Sequence, residues 1–238
     1  MSLLNNIQKG KRQSPPRLMI YGIEGIGKTT CSANAPDPIF IPTEDGLDRI
    51  ECDSFPLCQS FDEMMTCLKT LQDEKHSYKT VVIDSLDWGE KLIFAHVCKV
   101  FGAKSIEKVD GGFGRGYEHA LTYWHQLIDA LRKLRDEKGM IVILIAHAKI
   151  EPYNDPESTP FDRFSPKLHK KANALLCEWC DATLLATREF GAAKGEKGGG
   201  KRILRCIPSA TCVAKNRYNI PEIIPLDWSS LMQYLIEN

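Results

Sequence analysis

The sequence predicts an α/β fold with a mainly parallel central sheet, flanking helices and a C-terminal β-hairpin. Three observations carry that reading. Short apolar runs alternate with amphipathic stretches through the first 150 residues, the pattern of strands joined by crossover helices. A glycine-rich turn at 22–27 links the first apolar run to the first helical stretch. Two late apolar runs, separated by a glycine- and lysine-rich tip at 191–200, read as a hairpin.

Each element follows from local pattern. Residues 1–16 are polar, end in Pro15-Pro16, and read as a flexible arm; 17–238 then form one core. Arg17 to Tyr21 is a buried strand, Lys28 to Asn34 a helix stopped by Pro36 and Pro38, and Ile39 to Ile41 a second strand. Phe61, Met64, Met65, Leu68 and Leu71 recur at helical spacing, giving a helix over 61–74. Val81 to Ile83 is a strand ending at Asp84, and a helix runs from Trp88 to Phe101. Lys104 to Gly116 is glycine-rich and breaks the pattern. Leu121, Trp124, Ile128, Leu131 and Leu134 mark the next helix, and Ile141 to Ala146 a central strand. Four prolines between Glu151 and Pro166 predict a long loop. A helix over Lys167 to Leu176, hairpin strands at Ala182 to Thr187 and Ile203 to Pro208, and a last helix from Trp228 to Glu237 complete the chain.

Composition excludes several classes. With 43% apolar residues, the chain can bury a core and is not a disordered segment. Thirty-one basic and 31 acidic residues give zero net charge, so any nucleic-acid contact must come from local patches. The longest apolar run, Met140 to Ala146, is too short to cross a bilayer, and no membrane association is expected. The basic N-terminus is followed by no apolar stretch, so a secretory leader is not expected. Nine cysteines, an odd number, read as reduced thiols of a cytoplasmic protein. Cys177 and Cys180 form a C-x-x-C, but Cys206 and Cys212 lack the spacing of a second zinc-binding pair.

The sharpest signal is Gly22-Ile-Glu-Gly-Ile-Gly27-Lys28-Thr29, a complete P-loop between a strand and a helix. Gly22, Gly25 and Gly27 let the backbone approach an anion, and the N–H groups from Ile26 through Thr30 can face phosphate. Lys28 reaches the β- and γ-phosphates, and the Thr29 hydroxyl ligates Mg²⁺. ATP and Mg²⁺ are the cofactors expected. Asp84, at a strand end, is the expected Walker B acid; the bland alternative is a helix cap. Glu44, just past the second strand, is the candidate for orienting water, with Asp45 as its rival. His147, at the tip of the central strand, is a candidate γ-phosphate reporter or a solvent-facing histidine.

Together these features resemble the RecA-like ATPase core over roughly residues 17–225. More narrowly they resemble small bacteriophage-encoded RecA-like ATPases, some of which act in single-strand annealing or recombination. The resemblance implies that Glu44 activates water and that the host cytoplasm is the site of action. It also implies self-association into a ring or filament. In Val213-Ala-Lys215-Asn216-Arg217 the chain is similar to a basic finger inserted into a neighbour's ATP site, making Lys215 and Arg217 catalytic candidates in trans.

The resemblance further implies single-stranded DNA at loops near the sheet axis. One candidate carries Lys108 and Arg115; the other carries Phe161, Arg163, Phe164, Lys167, Lys170 and Lys171. Basic groups would meet phosphates while aromatic rings stack on bases. Glu151, Asp155, Glu157 and Asp162 oppose this in the second loop. The basic tip from Lys194 to Arg202 is a third patch, or a plain hairpin end. The rival readings are a P-loop switch or motor for packaging or protein remodelling, and a small-molecule kinase. A kinase would need an arginine-rich lid, of which the sequence has no clear example.

Overall fold

The computed structural model describes residues 7, 10, 14–154, 159–189 and 200–235. Strand β1 (Arg17–Gly22) enters α1 (Lys28–Ala33) through the glycine turn. The chain continues through β2 (Pro38–Pro42), β3 (Asp53–Ser54), α2 (Phe61–Asp73), β4 (Thr80–Asp84) and α3 (Leu86–Phe101). After a 3-10 turn, α4 (Arg115–Lys138) leads to β5 (Ile141–Tyr153), β6 (Phe161–Pro166) and α5 (Lys170–Trp179). The last elements are β7 (Ala182–Arg188), β8 (Arg202–Arg205), β9 (Lys215–Asn216), β10 (Ile223–Pro225) and α6 (Trp228–Leu235).

The sheet order is β10-β8-β7-β1-β5-β4-β2-β3. From β7 to β3 all neighbours run parallel, while β8 and β10 add an antiparallel edge. β5 therefore lies between the P-loop strand and the Asp84 strand. The expected mixed α/β architecture is the one found.

The parallel strands are apolar on both faces because helices cover both. Met19, Tyr21, Ile83, Leu144 and Leu185 pack with α2 to α5, notably Leu68, Ile93, Trp124, Leu131 and Leu176. Leu18, Ile20, Val82, Ile145 and Leu184 pack on the other face, with Cys31 of α1 and Trp228 and Leu231 of α6. Both sets sit next to one another in sequence, which is why these strands read as continuous apolar runs.

One expectation is corrected. Glu151 to Pro166 is not a loop: β5 continues through Tyr153 and pairs antiparallel with β6, from Ala148↔Pro166 to Tyr153↔Phe161. Pro152 and Pro166 are tolerated because the ribbon is two-stranded and each can turn its missing donor outward. Most of the expected N-terminal arm, and the hairpin tip at 190–199, lie outside the described residues.

Candidate functional site

The parallel strands deliver the site residues to one edge. The register pairs Gly22 with His147 on one side and with Ala186 on the other. One strand further out, Asp84 pairs with Ile145 and Pro42. Glu44 follows two residues after Pro42. The hydroxyl of the intervening Thr43 donates to the Ser85 carbonyl at 2.6 Å, and its N–H donates to the Asp84 carbonyl at 2.8 Å. Those two bonds tie the Glu44 turn to the end of β4.

The P-loop glycines are required by geometry. Gly25 and Gly27 have φ of +69° and +108°, where a side chain is strained. A Cβ on Gly22 would stand 2.3 Å from the Ala186 carbonyl oxygen, so only glycine lets β1 and β7 pack there. Lys28 is buried, and its ammonium donates to the carbonyls of Gly22 and Ile23 at 3.0 and 2.9 Å. Two of its three protons are used, leaving one to donate outward. Burial lowers the Lys28 pKa, against the opposing fields of Asp84, Glu44, Asp87 and Glu24. Ile26 is buried in the core, so only its backbone is free to meet a ligand, while Thr30 is exposed beyond Thr29.

The Thr29 hydroxyl donates to Asp84 Oδ2 at 2.7 Å. Burial pushes the Asp84 carboxyl up to about 6, Thr29 pulling down and Glu44 pushing up. A hydroxyl and a carboxylate in contact are hard oxygen donors that suit Mg²⁺, and a nearly buried acid with a raised pKa fits a site that a cation would complete. The residues therefore fit Mg-nucleotide, with Thr29 and Asp84 as the metal-side pair and the loop from Gly22 to Thr30 on the phosphates.

His147 lies between two carboxylates. Its Nδ1 is 3.0 Å from Asp87 Oδ2, and its Nε2 is 3.8 Å from Glu44 Oε1. Asp87 also accepts from the His147 backbone N–H at 3.1 Å. The hydrogen bond to Asp87 raises the His147 pKa despite burial. Burial would raise the Asp87 carboxyl, but the ring and backbone bonds from His147 prevail and lower it. His147 is therefore not the solvent-facing histidine of the bland reading. Asp87 escaped sequence reasoning because an acid in the first turn of a helix usually serves the helix. Its one available signal was position, three residues after Asp84. Glu90, one turn further along α3, is also buried; it accepts from the His169 N–H at 3.0 Å, and burial pushes it up to about 7.

Lys215 and Arg217 have partners within the chain. Lys215 pairs in register with Thr183, near the start of β7, whereas the P-loop meets β7 at Ala186. Its ammonium donates to the carbonyls of Cys177 and Glu178, at the end of α5. Arg217 pairs with Asp181, which also binds Arg17 at 2.6 Å. Both cations thus lie at the sheet edge away from this chain's own P-loop, with the Arg217 side chain still exposed.

The DNA candidates divide. Lys108, Arg115, Lys167 and Lys170 are exposed. Lys171 pairs with Glu118, and Arg163 pairs with Glu151 while stacking on Tyr153. Phe161 and Phe164 are half-buried on the β5–β6 hairpin. Phe113, fully exposed among glycines with positive φ, lies beside Arg115 and was not singled out by sequence.

All nine cysteines are unpaired. Among the described residues no helix is long and apolar enough to cross a membrane.

The strand order, the loop from Gly22 to Thr29 and the Thr29–Asp84 contact define a P-loop ATPase. The model of the AAA_24 family, an AAA domain, matches residues 14–218, and the chain belongs to that family. It carries a P-loop ATPase domain, whose fold implies nucleotide and Mg²⁺ binding. The chain is also similar to the SPbeta prophage-derived uncharacterized protein YorG of Bacillus subtilis (strain 168), with 28% identity over 135 residues. That match covers 55% of this chain and 40% of the relative's length.

Proposed function

We propose that this ATPase is of phage type and acts on single-stranded DNA in recombination or annealing. The observation that carries the catalytic part is the convergence of Glu44, Asp84 and His147 on the P-loop edge, with His147 held by Asp87. In this reading Lys28 and the loop N–H groups bind the phosphates. Thr29 and Asp84 hold the metal, which when bound supplies charge neutralisation at the transferring phosphoryl group. Glu44 orients and deprotonates the attacking water. His147 donates from Nε2 and senses whether a γ-phosphate is present.

The DNA part rests on the resemblance, on the exposed Lys108, Arg115, Lys167 and Lys170, and on the similarity to a prophage protein. Phe161, Arg163, Phe164 and Lys171 would add stacking and charge at the same hairpin. Self-association into a ring or filament belongs to the same proposal. The pairing of Arg163 and Lys171 with acids favours the second reading, a packaging or remodelling motor without direct DNA contact.

Steady-state ATP hydrolysis with and without single-stranded DNA tests the choice, with Lys28→Ala as the blank. A several-fold, Lys28-dependent rise supports the DNA reading. A Lys28-dependent rate indifferent to DNA sinks it in favour of the second.

A further inference from the structure

A second cationic feature flanks the P-loop on the side away from Asp84. β8 pairs with β7 so that Arg202 stands directly opposite Arg188. Directly opposed residues project from the same face. That face is the α1 side, since Ala186 and Leu204, two register pairs below and so on the same face, both lie in the core under α1 and α6.

Arg202 reaches the phosphate loop itself. Its Nη1 lies 3.0 Å from where a Cβ on Gly27 would stand, and Leu226 Cδ2 is 3.8 Å from the same point. The Leu226 N–H donates to the Arg202 carbonyl at 3.0 Å, which fixes the strand that presents the guanidinium. Like charges directly opposed on a ladder are unfavourable without compensation. Among the described residues, neither arginine has an ion pair. Arg188 donates to the Gly200 carbonyl at 3.0 Å, and the nearby Asp227 is occupied by Ser229 and Ser230 at the start of α6. The guanidinium of Arg202 is exposed, and among the described residues it has no hydrogen-bond partner.

A guanidinium against a phosphate-binding glycine, with a second arginine opposite it on the ladder and no acid paired to either among the described residues, suits an anion, and the fork geometry of arginine matches phosphate oxygens. We propose that Arg202, backed by Arg188, is a nucleotide-binding residue that contacts the diphosphate part common to ATP and ADP. The flank decides which part. Asp84, Glu44 and His147 occupy the β5–β4 side of β1, where the metal and the terminal phosphate belong, whereas Arg202 stands on the β7–β8 side. The assignment rests on the nucleotide-binding reading of the P-loop, and it gives Arg202 a role in affinity rather than in the chemical step.

Equilibrium titration with fluorescent ATP and ADP analogues tests it, on the whole chain and its variants. Arg202→Ala should weaken both analogues by about tenfold, the scale of one charge-assisted hydrogen bond. Arg188→Ala should weaken both by less, and melting temperature should stay at the wild-type value. Arg202→Gln gives the same reading should the alanine variant not fold. Unchanged affinity for both analogues overturns the proposal, as does a loss confined to ATP, which would move Arg202 to the terminal phosphate. Wild-type protein binding neither analogue would instead remove the P-loop reading beneath it.

Discussion

Asp87 holds His147 at two points, accepting from its backbone N–H at 3.1 Å and from ring Nδ1 at 3.0 Å. The first bond fixes the end of the central strand against α3. The second orients the ring so that Nε2 faces Glu44, and favours the imidazolium, in which Nε2 also carries a proton to donate. Asp87→Asn keeps the shape but removes the charge. The His147 pKa should then fall, read by NMR titration of the ring, and ATP turnover should drop about tenfold or more with nucleotide affinity retained. An unchanged ring pKa would refute the positioning role.

The His147 ring adds its own pH signature. Its folded pKa is raised above 6.5, so it stabilises the fold fully below that value. The contribution is lost as pH rises through the folded pKa. His147→Gln should therefore cost stability at pH 6 and progressively less toward pH 9, measured as denaturation midpoints across that range.

Asp84 shifts stability in the same direction with pH, but as a penalty on its charged form. Its folded pKa is about 6 against 3.8 for the free side chain, so the nucleotide-free fold loses stability as pH rises through that window. Asp84→Asn should raise the stability of the nucleotide-free protein at pH 8 by on the order of 2 kcal/mol. The gain should vanish below about pH 4, where both forms are neutral. The same variant should lose Mg²⁺-dependent hydrolysis, so stability and activity move apart.

Glu44→Gln should leave binding of a fluorescent ATP analogue near wild type while slowing hydrolysis by about 10²- to 10⁴-fold. Asp45→Gln is the internal control and should change the rate little. Reversal of the two results would assign the water to Asp45.

Replacing Lys167, Lys170 and Lys171 together by alanine should weaken single-strand binding and flatten its dependence on salt. Lys171 already pairs with Glu118, so Lys167 and Lys170 should account for most of the effect. Affinity and salt slope equal to wild type would remove the hairpin root from the DNA model.

The parts legible in sequence were those whose cause is local. Strands such as Val81 to Ile83 announce themselves because burial on both faces demands an unbroken apolar run, and the loop at Gly22 to Thr29 because phosphate binding demands those glycines. What stayed hidden depends on pairing. The outer half of β5 alternates exposed Ile150 with the half-buried Lys149 and Glu151, a pattern that its prolines disguised as a loop. Asp87 and Glu90 gain meaning only when α3 is laid beside the ends of β5 and β6. Arg202 falls in a lysine- and glycine-rich patch by sequence, and only the β7–β8 register brings it to Gly27. The partners of Lys215 and Arg217, on α5 and at Asp181, were hidden for the same reason, being remote in sequence.

β5 runs without interruption from Ile141 in the core, past His147 at the nucleotide edge, to Tyr153 in the outer hairpin. The six steps beyond His147 span about 20 Å. Stiffened by β6, that length is a lever whose fulcrum sits at the catalytic edge. A tilt of about 6° at the root sweeps the far end by about 2 Å. Any displacement of His147 would thus reach the tip of the hairpin magnified, through backbone that is continuous from one to the other.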